Sequence, residues 1–206
     1  MTAEVPGAPF RSSVALLVLA GGEGRRLGGV TKPLLRSASG RRLIDSLIEA
    51  LEPVADEVWI LSTERTRAEL SAAGFQERLL VDPGTGPAGA LEVAAASVSS
   101  EWLALVAGDL HAPSRALLDR LLRSASQGRP ALVAHEGRLQ PQVSVWPTSR
   151  IRALHDLSGR SLRSVAEALG AITIDASVLP PDELRGLEGV NVPSDLEKLR
   201  VAPNGE

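Results

Sequence analysis

The stretch that decides the fold is Val14-Ala-Leu-Leu-Val-Leu-Ala20, which is followed directly by Gly21-Gly-Glu-Gly-Arg-Arg-Leu-Gly-Gly29. An uninterrupted apolar run of this length is typical of a strand that is buried on both faces of a parallel sheet. Glycines at the end of such a strand allow the backbone to approach a ligand closely. The two segments together predict an α/β fold with a ligand site at the carboxyl end of the first strand.

Further apolar runs alternate with segments whose apolar residues have helical spacing. The runs predict strands at residues 57–62, 78–81, 102–107, 131–134, 143–146 and 172–175. Helices are predicted at residues 43–51, 88–98 and 113–126. A further helical stretch ends at about residue 73, and two more begin at residues 149 and 161. Ser194 and Glu197 predict a capped terminal helix. This alternation predicts a three-layer α/β/α sandwich around a mainly parallel sheet.

The chain length and composition fit one globular domain. At roughly 150 residues per domain, 206 residues correspond to one domain or to one domain with a small addition. The residues are 44% hydrophobic and the net charge is −3, which argues against disorder. We expect a flexible leader at residues 1–12, a single domain at residues 13–201 and a short tail at residues 202–206.

The composition also excludes several classes of function. The chain has no cysteine and three histidines, so thiolate chemistry is excluded and a histidine-rich metal centre is not expected. Any metal would then be a hard cation with oxygen ligands. The slight negative charge and the 2% aromatic content argue against a nucleic-acid partner. The longest apolar run is far shorter than the roughly 20 residues that cross a bilayer, so we expect no membrane partner and a cytoplasmic location.

The spacing of the glycine loop excludes two common phosphate motifs. A Walker loop needs a lysine directly after its last glycine, whereas Lys32 lies three residues after Gly29. The glycines of residues 22–28 are spaced G-x-G-x-x-x-G, which differs from the dinucleotide-binding spacing G-x-G-x-x-G. Two interpretations remain. The loop either holds a polyphosphate with its N–H groups and with Arg25, Arg26 and Lys32, or it is a flexible turn with solvated arginines.

Polar residues that follow the other predicted strands are further candidates. Asp109, after strand 102–107, is either a Mg²⁺ ligand or a cap for the next helix. Asp82 begins a turn-rich loop that either contacts a base or ribose or is only a connection. Asn191, ahead of the last predicted helix, is either a second metal ligand or a turn residue.

One segment carries a family resemblance. Leu19-Ala-Gly-Gly-Glu-Gly-Arg-Arg-Leu-Gly-Gly-Val-Thr-Lys-Pro33 resembles the signature of nucleotidyltransferases that activate sugars and cofactors, and it is most similar to molybdenum cofactor guanylyltransferases of the MobA type. The other family motifs follow in order at residues 82–89, 109, 140–141, 161–163 and 190–193, so the similarity covers about residues 14–199. The resemblance implies a Rossmann-like fold of the nucleotide-diphospho-sugar transferase type, with a nucleotide-binding half at about 13–110 and an acceptor-binding half at about 111–201.

The resemblance also implies a reaction, which is the Mg²⁺-dependent transfer of GMP from GTP to molybdopterin with release of pyrophosphate. It implies catalytic roles for Arg26, Lys32 and Asp109, and Mg²⁺ ligands at Asp109 and Asn191. The implied nucleotide contacts are Leu19, Ala20, Gly21, Gly22, Gly24, Lys32, Asp82 and Asp109. The implied small-molecule partners are GTP or another nucleoside triphosphate and a molybdopterin-type phosphate acceptor. Transient contact with proteins of cofactor biosynthesis, or with proteins that receive the cofactor, is also implied.

Two departures from the family pattern leave other reactions open. The guanylyltransferases usually have Asp where this chain has Thr31. At the end of the second strand they typically offer an Asn for the nucleoside, whereas this chain reads Leu61-Ser-Thr63. Transfer of CMP to molybdopterin, or of a nucleotide to a sugar phosphate, is therefore an alternative. A non-catalytic nucleotide-binding module is a third hypothesis. Arg26, Lys32 and Asp109 argue against it, because binding alone needs no metal site at the α-phosphate.

Overall fold

The computed structural model describes residues 12–22, 27–125 and 128–197. Within these ranges, seven strands form one sheet with helices on both faces. The strands are β1 (Val14–Leu19), β2 (Glu57–Ser62), β3 (Leu79–Val81), β4 (Trp102–Ala107), β5 (Ala131–His135), β6 (Arg138–Pro147) and β7 (Ile172–Asp175). The α-helices are α1 (Leu43–Leu51), α2 (Glu64–Leu70), α3 (Pro87–Ser97), α4 (Arg115–Ser124), α5 (Thr148–Ala153), α6 (Leu162–Ala168) and α7 (Pro181–Arg185). None of the helices in the described residues is long and apolar enough to span a bilayer.

The strand order across the sheet is β3-β2-β1-β4-β6-β5-β7. Strands β1 to β4 are parallel, β6 is antiparallel to both of its neighbours, and β7 is parallel to β5. The sheet is therefore mainly parallel, and the predicted three-layer architecture is confirmed. The chain builds outward from β1 to β3 and then crosses to the other side of β1 to form β4. A reversal of this kind opens a crevice at the carboxyl ends of β1 and β4.

Strand β1 lies at the centre of the sheet, and its burial explains the uninterrupted apolar run. Leu16 and Val18 pack into one core layer with the buried residues of α1 and α4. Ala15 and Leu17 point to the opposite face and pack with α3, α5 and α6. Because successive side chains of a strand alternate between faces, a strand covered on both sides needs apolar residues at every position.

Helix α7 was not predicted from the sequence, and two other segments also differ from the sequence-based expectations. Strand β6 begins at Arg138, five residues before the expected start, because its polar first half pairs with β5 in a hairpin where half-buried polar side chains are tolerated. The expected capped helix at Ser194 is a 3-10 helix, Pro193–Glu197, in the part of the chain that is described. There the Asp195 carboxylate accepts hydrogen bonds from the backbone N–H groups of Asn191 and Val192, so Asp195 and not Ser194 fixes this turn.

At the amino edge of the sheet, the Glu57 carboxylate ties β2 to the loop before β4. Its Oε1 accepts hydrogen bonds from the backbone N–H groups of Ser99 (2.9 Å) and Ser100 (2.8 Å) and from both hydroxyls, and its Oε2 accepts one from Trp59 Nε1 at 3.0 Å. Burial alone would raise the pKa of Glu57. The hydrogen bonds from Ser100, Trp59 and Ser99 outweigh it and lower the pKa to about 2.

We expect Glu57→Gln to lower the free energy of unfolding at neutral pH by about 1 kcal/mol, a figure that allows for the partial exposure of the carboxylate. The pKa of Glu57 is lowered by folding, so its stabilisation is present above the ordinary value of 4.5 and is lost as the pH falls towards about 2. Urea unfolding at several pH values should show the difference from the wild type shrinking across that interval. A difference that stays constant with pH, or an equal effect of changing the exposed Glu101 to Gln, would contradict this assignment.

Candidate functional site

A cavity of about 470 Å³ lies at the carboxyl edge of the sheet, in the crevice between β1 and β4. Residues that directly follow the strands supply much of its lining, because parallel strands end at the same edge. The predicted nucleotide-binding residues that line it are Leu19, Ala20, Gly21, Gly22, Lys32, Asp82 and Asp109. Gly24, Arg25 and Arg26 lie outside the residues that the structure describes.

Lys32 links two polar side chains of the site, those of Asp109 and Asn191. Its ammonium donates a hydrogen bond to Asp109 Oδ2 at 2.8 Å and a second one to Asn191 Oδ1 at 2.9 Å. The side chains of Lys32 and Asp109 are only 17% and 18% exposed. The two candidate metal ligands, which are distant in sequence, thus converge on one cation.

The backbone next to Lys32 is held by close packing. Lys32 begins a 3-10 helix, Lys32–Leu34, whose Pro33 is buried. A Cβ atom at Gly108 would lie 2.8 Å from Pro33 Cγ and 2.8 Å from the carbonyl oxygen of Leu19. The absence of a side chain at Gly108 therefore lets the Lys32 segment pack directly against the ends of β1 and β4.

Asn191 reaches the site through a short backbone pairing. The N–H of Val190 donates to the carbonyl of Asp109 at 3.0 Å, and Leu110 forms an antiparallel bridge with Gly189. A Cβ atom at Gly189 would lie 3.1 Å from Asp109 Oδ1, so this strand-like segment also passes close to the carboxylate. The pairing explains how residues near opposite ends of the domain meet at one point.

The helix that precedes this segment is anchored by an ion pair. Glu183 of α7 is 5% exposed, and its carboxylate accepts two hydrogen bonds from the Arg120 guanidinium of α4, at 2.6 and 2.8 Å. The hydrogen bond to Glu183 raises the pKa of Arg120. Bidentate pairing fixes both position and orientation, so α7 delivers the chain to residue 188 in a defined place.

Asp82 occupies the other side of the cavity. Its Oδ1 accepts a hydrogen bond from the N–H of Gly84 at 2.9 Å, which is the geometry of an Asx turn. Its Oδ2 lies against Gly21, where an added Cβ would be 2.7 Å away. The glycine at position 21 therefore lets the carboxylate approach the end of β1.

Two further residues belong to the site. The sequence marked Thr63 only as part of the segment where relatives have Asn, and it gave no role to Arg65. Thr63, which directly follows β2, lines the cavity and caps α2 by accepting a hydrogen bond from the N–H of Thr66. Its position directly after a strand is the sequence signal that could have indicated this role. Arg65 in α2 donates a hydrogen bond to the carbonyl of Gly29 and so contacts the end of the glycine loop. No pattern in the sequence marked this contact.

The charges and donor atoms of the site fit Mg²⁺. Among the described residues that line the cavity, Lys32 is the one cation, against the carboxylates of Asp82 and Asp109. The oxygens of Asp109 and Asn191 already accept hydrogen bonds from a cationic group, and such hard oxygen donors suit Mg²⁺. The described residues contain no group of three or more acidic or histidine side chains suited to a metal ion. Phosphate oxygens and water would therefore have to complete the coordination.

A family model for the MobA-like NTP transferase domain matches residues 16–172. The chain belongs to the MobA-like NTP transferase family. Within that family, the molybdenum cofactor guanylyltransferase of Mesorhizobium japonicum is 30% identical over 200 residues, which cover 91% of this chain and 94% of the relative. The enzyme of the same name from Pseudomonas aeruginosa (strain LESB58) is 30% identical over 194 residues, or 90% and 94% of the two chains. This MobA-like protein is therefore a nucleotidyltransferase, as predicted.

Solved structures show the same MobA-like fold. Molybdopterin-guanine dinucleotide biosynthesis protein A from Archaeoglobus fulgidus has a TM-score of 0.74 and 19% identity, and the match covers 90% of this chain and 96% of that one. A nucleotidyl transferase from Methanothermobacter thermautotroptrophicus has a TM-score of 0.69 and 22% identity, with coverage of 91% and 96%. These similarities confirm the predicted Rossmann-like architecture.

Proposed function

We propose that this nucleotidyltransferase acts in molybdenum cofactor biosynthesis, where it transfers GMP from GTP to molybdopterin and releases pyrophosphate. The observation that carries the proposal is the meeting of Lys32, Asp109 and Asn191 beside a cavity that the end of β1 and its first glycines line. The names of the relatives from Mesorhizobium japonicum and Pseudomonas aeruginosa support the choice of acceptor and nucleotide.

In the proposed reaction, a terminal phosphate oxygen of molybdopterin attacks the α-phosphorus of GTP. The new P–O bond forms as the bond from the α-phosphorus to the bridging oxygen of the β-phosphate breaks, and pyrophosphate leaves with the electron pair. Such transfers depend on alignment and charge neutralisation and need no covalent intermediate on the protein. The lack of cysteine in the chain fits this chemistry.

The side chains of the site have separate proposed tasks. Asp109 and Asn191 would hold Mg²⁺, which when bound neutralises charge on the α-phosphate. Lys32 would bind phosphate oxygens through its ammonium, and the backbone of Gly21 and Gly22 leaves room for the phosphate chain. The start of α3 also faces the cavity, and its positive dipole end favours an anion there.

The nucleoside would lie near Asp82, Thr63 and the loop before α3. The carboxylate of Asp82 accepts hydrogen bonds, and both the ribose hydroxyls and the adjacent N1–H and N2–H₂ groups of guanine can donate them. All of the lining residues fall within the proposed nucleotide-binding half, residues 13–110, while Asn191 comes from the proposed acceptor-binding half, residues 111–201.

We expect GTP, in the presence of Mg²⁺, to bind about tenfold or more tightly than CTP, ATP or UTP, because a base that leaves the polar groups of its pocket unpaired loses affinity. Calorimetric titration of the four nucleotides measures this preference. Pyrophosphate release with molybdopterin then measures transfer. Tighter binding of CTP would replace the guanylyl proposal by the cytidylyl alternative, for which Thr63 leaves room. Pyrophosphate release with a sugar phosphate but not with molybdopterin would overturn the proposed acceptor.

A further inference from the structure

We propose that Lys32 is a tethered cation that occupies the metal-binding oxygens of the nucleotide-free enzyme and must transfer to the nucleotide before a divalent metal can bind. Metal and nucleotide would then bind this enzyme as a coupled pair. The inference rests on the proposed Mg²⁺ site, but it does not depend on which base or acceptor the enzyme uses.

The competition follows from the hydrogen bonds of the Lys32 ammonium. This group donates to Asp109 Oδ2 and to Asn191 Oδ1, which are oxygens of the two proposed metal ligands. An ammonium and a divalent cation repel each other and cannot share the same pair of acceptors at close range. Metal binding therefore requires that Lys32 first release both oxygens.

The surroundings strengthen the attraction between Lys32 and the Asp109 carboxylate. Both partners of the ion pair are more than four-fifths buried, so solvent and salt screen the attraction less than at an exposed pair. The ammonium is also attached to the chain and competes at a high effective concentration. A free metal ion can bind only to the small fraction of molecules in which the ion pair is open, so its apparent affinity is reduced in proportion to that fraction.

A nucleotide offers Lys32 an alternative partner without a change of fold. Lys32 lines the cavity, while the neighbouring Pro33 is buried against Gly108 and holds the backbone. Rotation of the side chain alone can therefore bring the ammonium from Asp109 to a phosphate oxygen in the cavity. The same phosphates add oxygen ligands for the metal, so nucleotide binding both frees the site and completes it.

Binding of Mn²⁺ to the nucleotide-free protein tests this inference, with the electron paramagnetic resonance signal of free Mn²⁺ as the readout. We expect Lys32→Met to bind Mn²⁺ about tenfold more tightly than the wild type, because the competing cation is gone. Adding Asn191→Ala to that variant should weaken Mn²⁺ binding again. Lys32→Gln, which keeps a hydrogen-bond donor and loses the charge, should also bind more tightly and gives a second measurement if Lys32→Met does not fold.

The matched control is Arg42→Met, which frees a carboxylate in a different ion pair. Arg42 Nε lies 2.6 Å from Asp45 Oδ2, and these two side chains, which are 23% and 30% exposed, do not line the cavity. We expect no gain in Mn²⁺ binding from this change. Equal Mn²⁺ affinities of the wild type and the folded Lys32 variants would overturn the inference, as would an equal gain from Arg42→Met. Since no nucleotide or acceptor is present, these outcomes are independent of the tests of guanylyl transfer.

Discussion

Asp109→Asn is expected to lower the rate of nucleotidyl transfer by about a thousandfold while the protein stays folded. Asn keeps the shape of the side chain but loses the charge that would hold Mg²⁺ beside the α-phosphate. It also breaks the ion pair with Lys32, whose ammonium lies 2.8 Å from Asp109 Oδ2. Pyrophosphate release under saturating nucleotide and Mg²⁺ measures the loss, and circular dichroism reports on the fold.

Asp119→Asn is the matched control for this experiment. Asp119 lies on α4, where its Oδ2 is 3.8 Å from Arg115 Nε. The substitution Asp119→Asn makes the same change of charge at a position that does not line the cavity. We expect its turnover to match that of the wild type. Unchanged turnover in Asp109→Asn would refute the metal assignment, and an equal loss in both variants would show that net charge and not the site is responsible.

Gly108→Ala is expected to lower the free energy of unfolding by about 2 kcal/mol and the melting temperature by about 4 to 8 °C. The new methyl group would lie 2.8 Å from the carbonyl oxygen of Leu19 and 2.8 Å from Pro33 Cγ, and both neighbours belong to well-packed segments. The easiest relief is an outward shift of Pro33, which would also move Lys32 away from Asp109. Thermal unfolding and transfer activity should therefore fall together.

The control for the added methyl group is Gly22→Ala. No atom of the described residues lies within 4 Å of a Cβ built at this position, so we expect the melting temperature to change little. If Gly108→Ala melted at the same temperature as the wild type, the close approach of the Lys32 segment to the ends of β1 and β4 would be the wrong explanation for this glycine.

Much of the fold could be predicted because the central parallel strands, β1 and β4, are buried on both faces and the other strands are short apolar runs between turns. The predicted bounds of β2, β4 and β7 agree with the structure, since polar residues and turns flank each apolar run. The start of β6 was missed, because a hairpin strand with a polar half has no such contrast. The segment around Ser194 was misread, because the side chain that organises it is that of Asp195, which accepts hydrogen bonds from the preceding N–H groups of Asn191 and Val192.

The composition of the candidate site could be predicted, but its connections could not. Asp82 and Asp109 stand at strand ends, and the rule that parallel strands end at one edge places both at the cavity. Lys32 and Asn191 are 159 positions apart, and nothing in either local sequence shows that a backbone pairing at Gly189 brings them together. The bridging position of the ammonium likewise depends on packing at Gly108, which only the three-dimensional structure shows.

The hydrogen bonds of Glu57 and the Lys32 ion pair lie at opposite edges of the same sheet, and this has a practical consequence for engineering. The central strand is 6 residues long, so roughly 20 Å separates the two edges. Substitutions at such a distance add independently to stability and to activity. Libraries aimed at heat resistance therefore belong at the amino edge around Glu57, while those aimed at new nucleotides belong around Thr63 and Asp82.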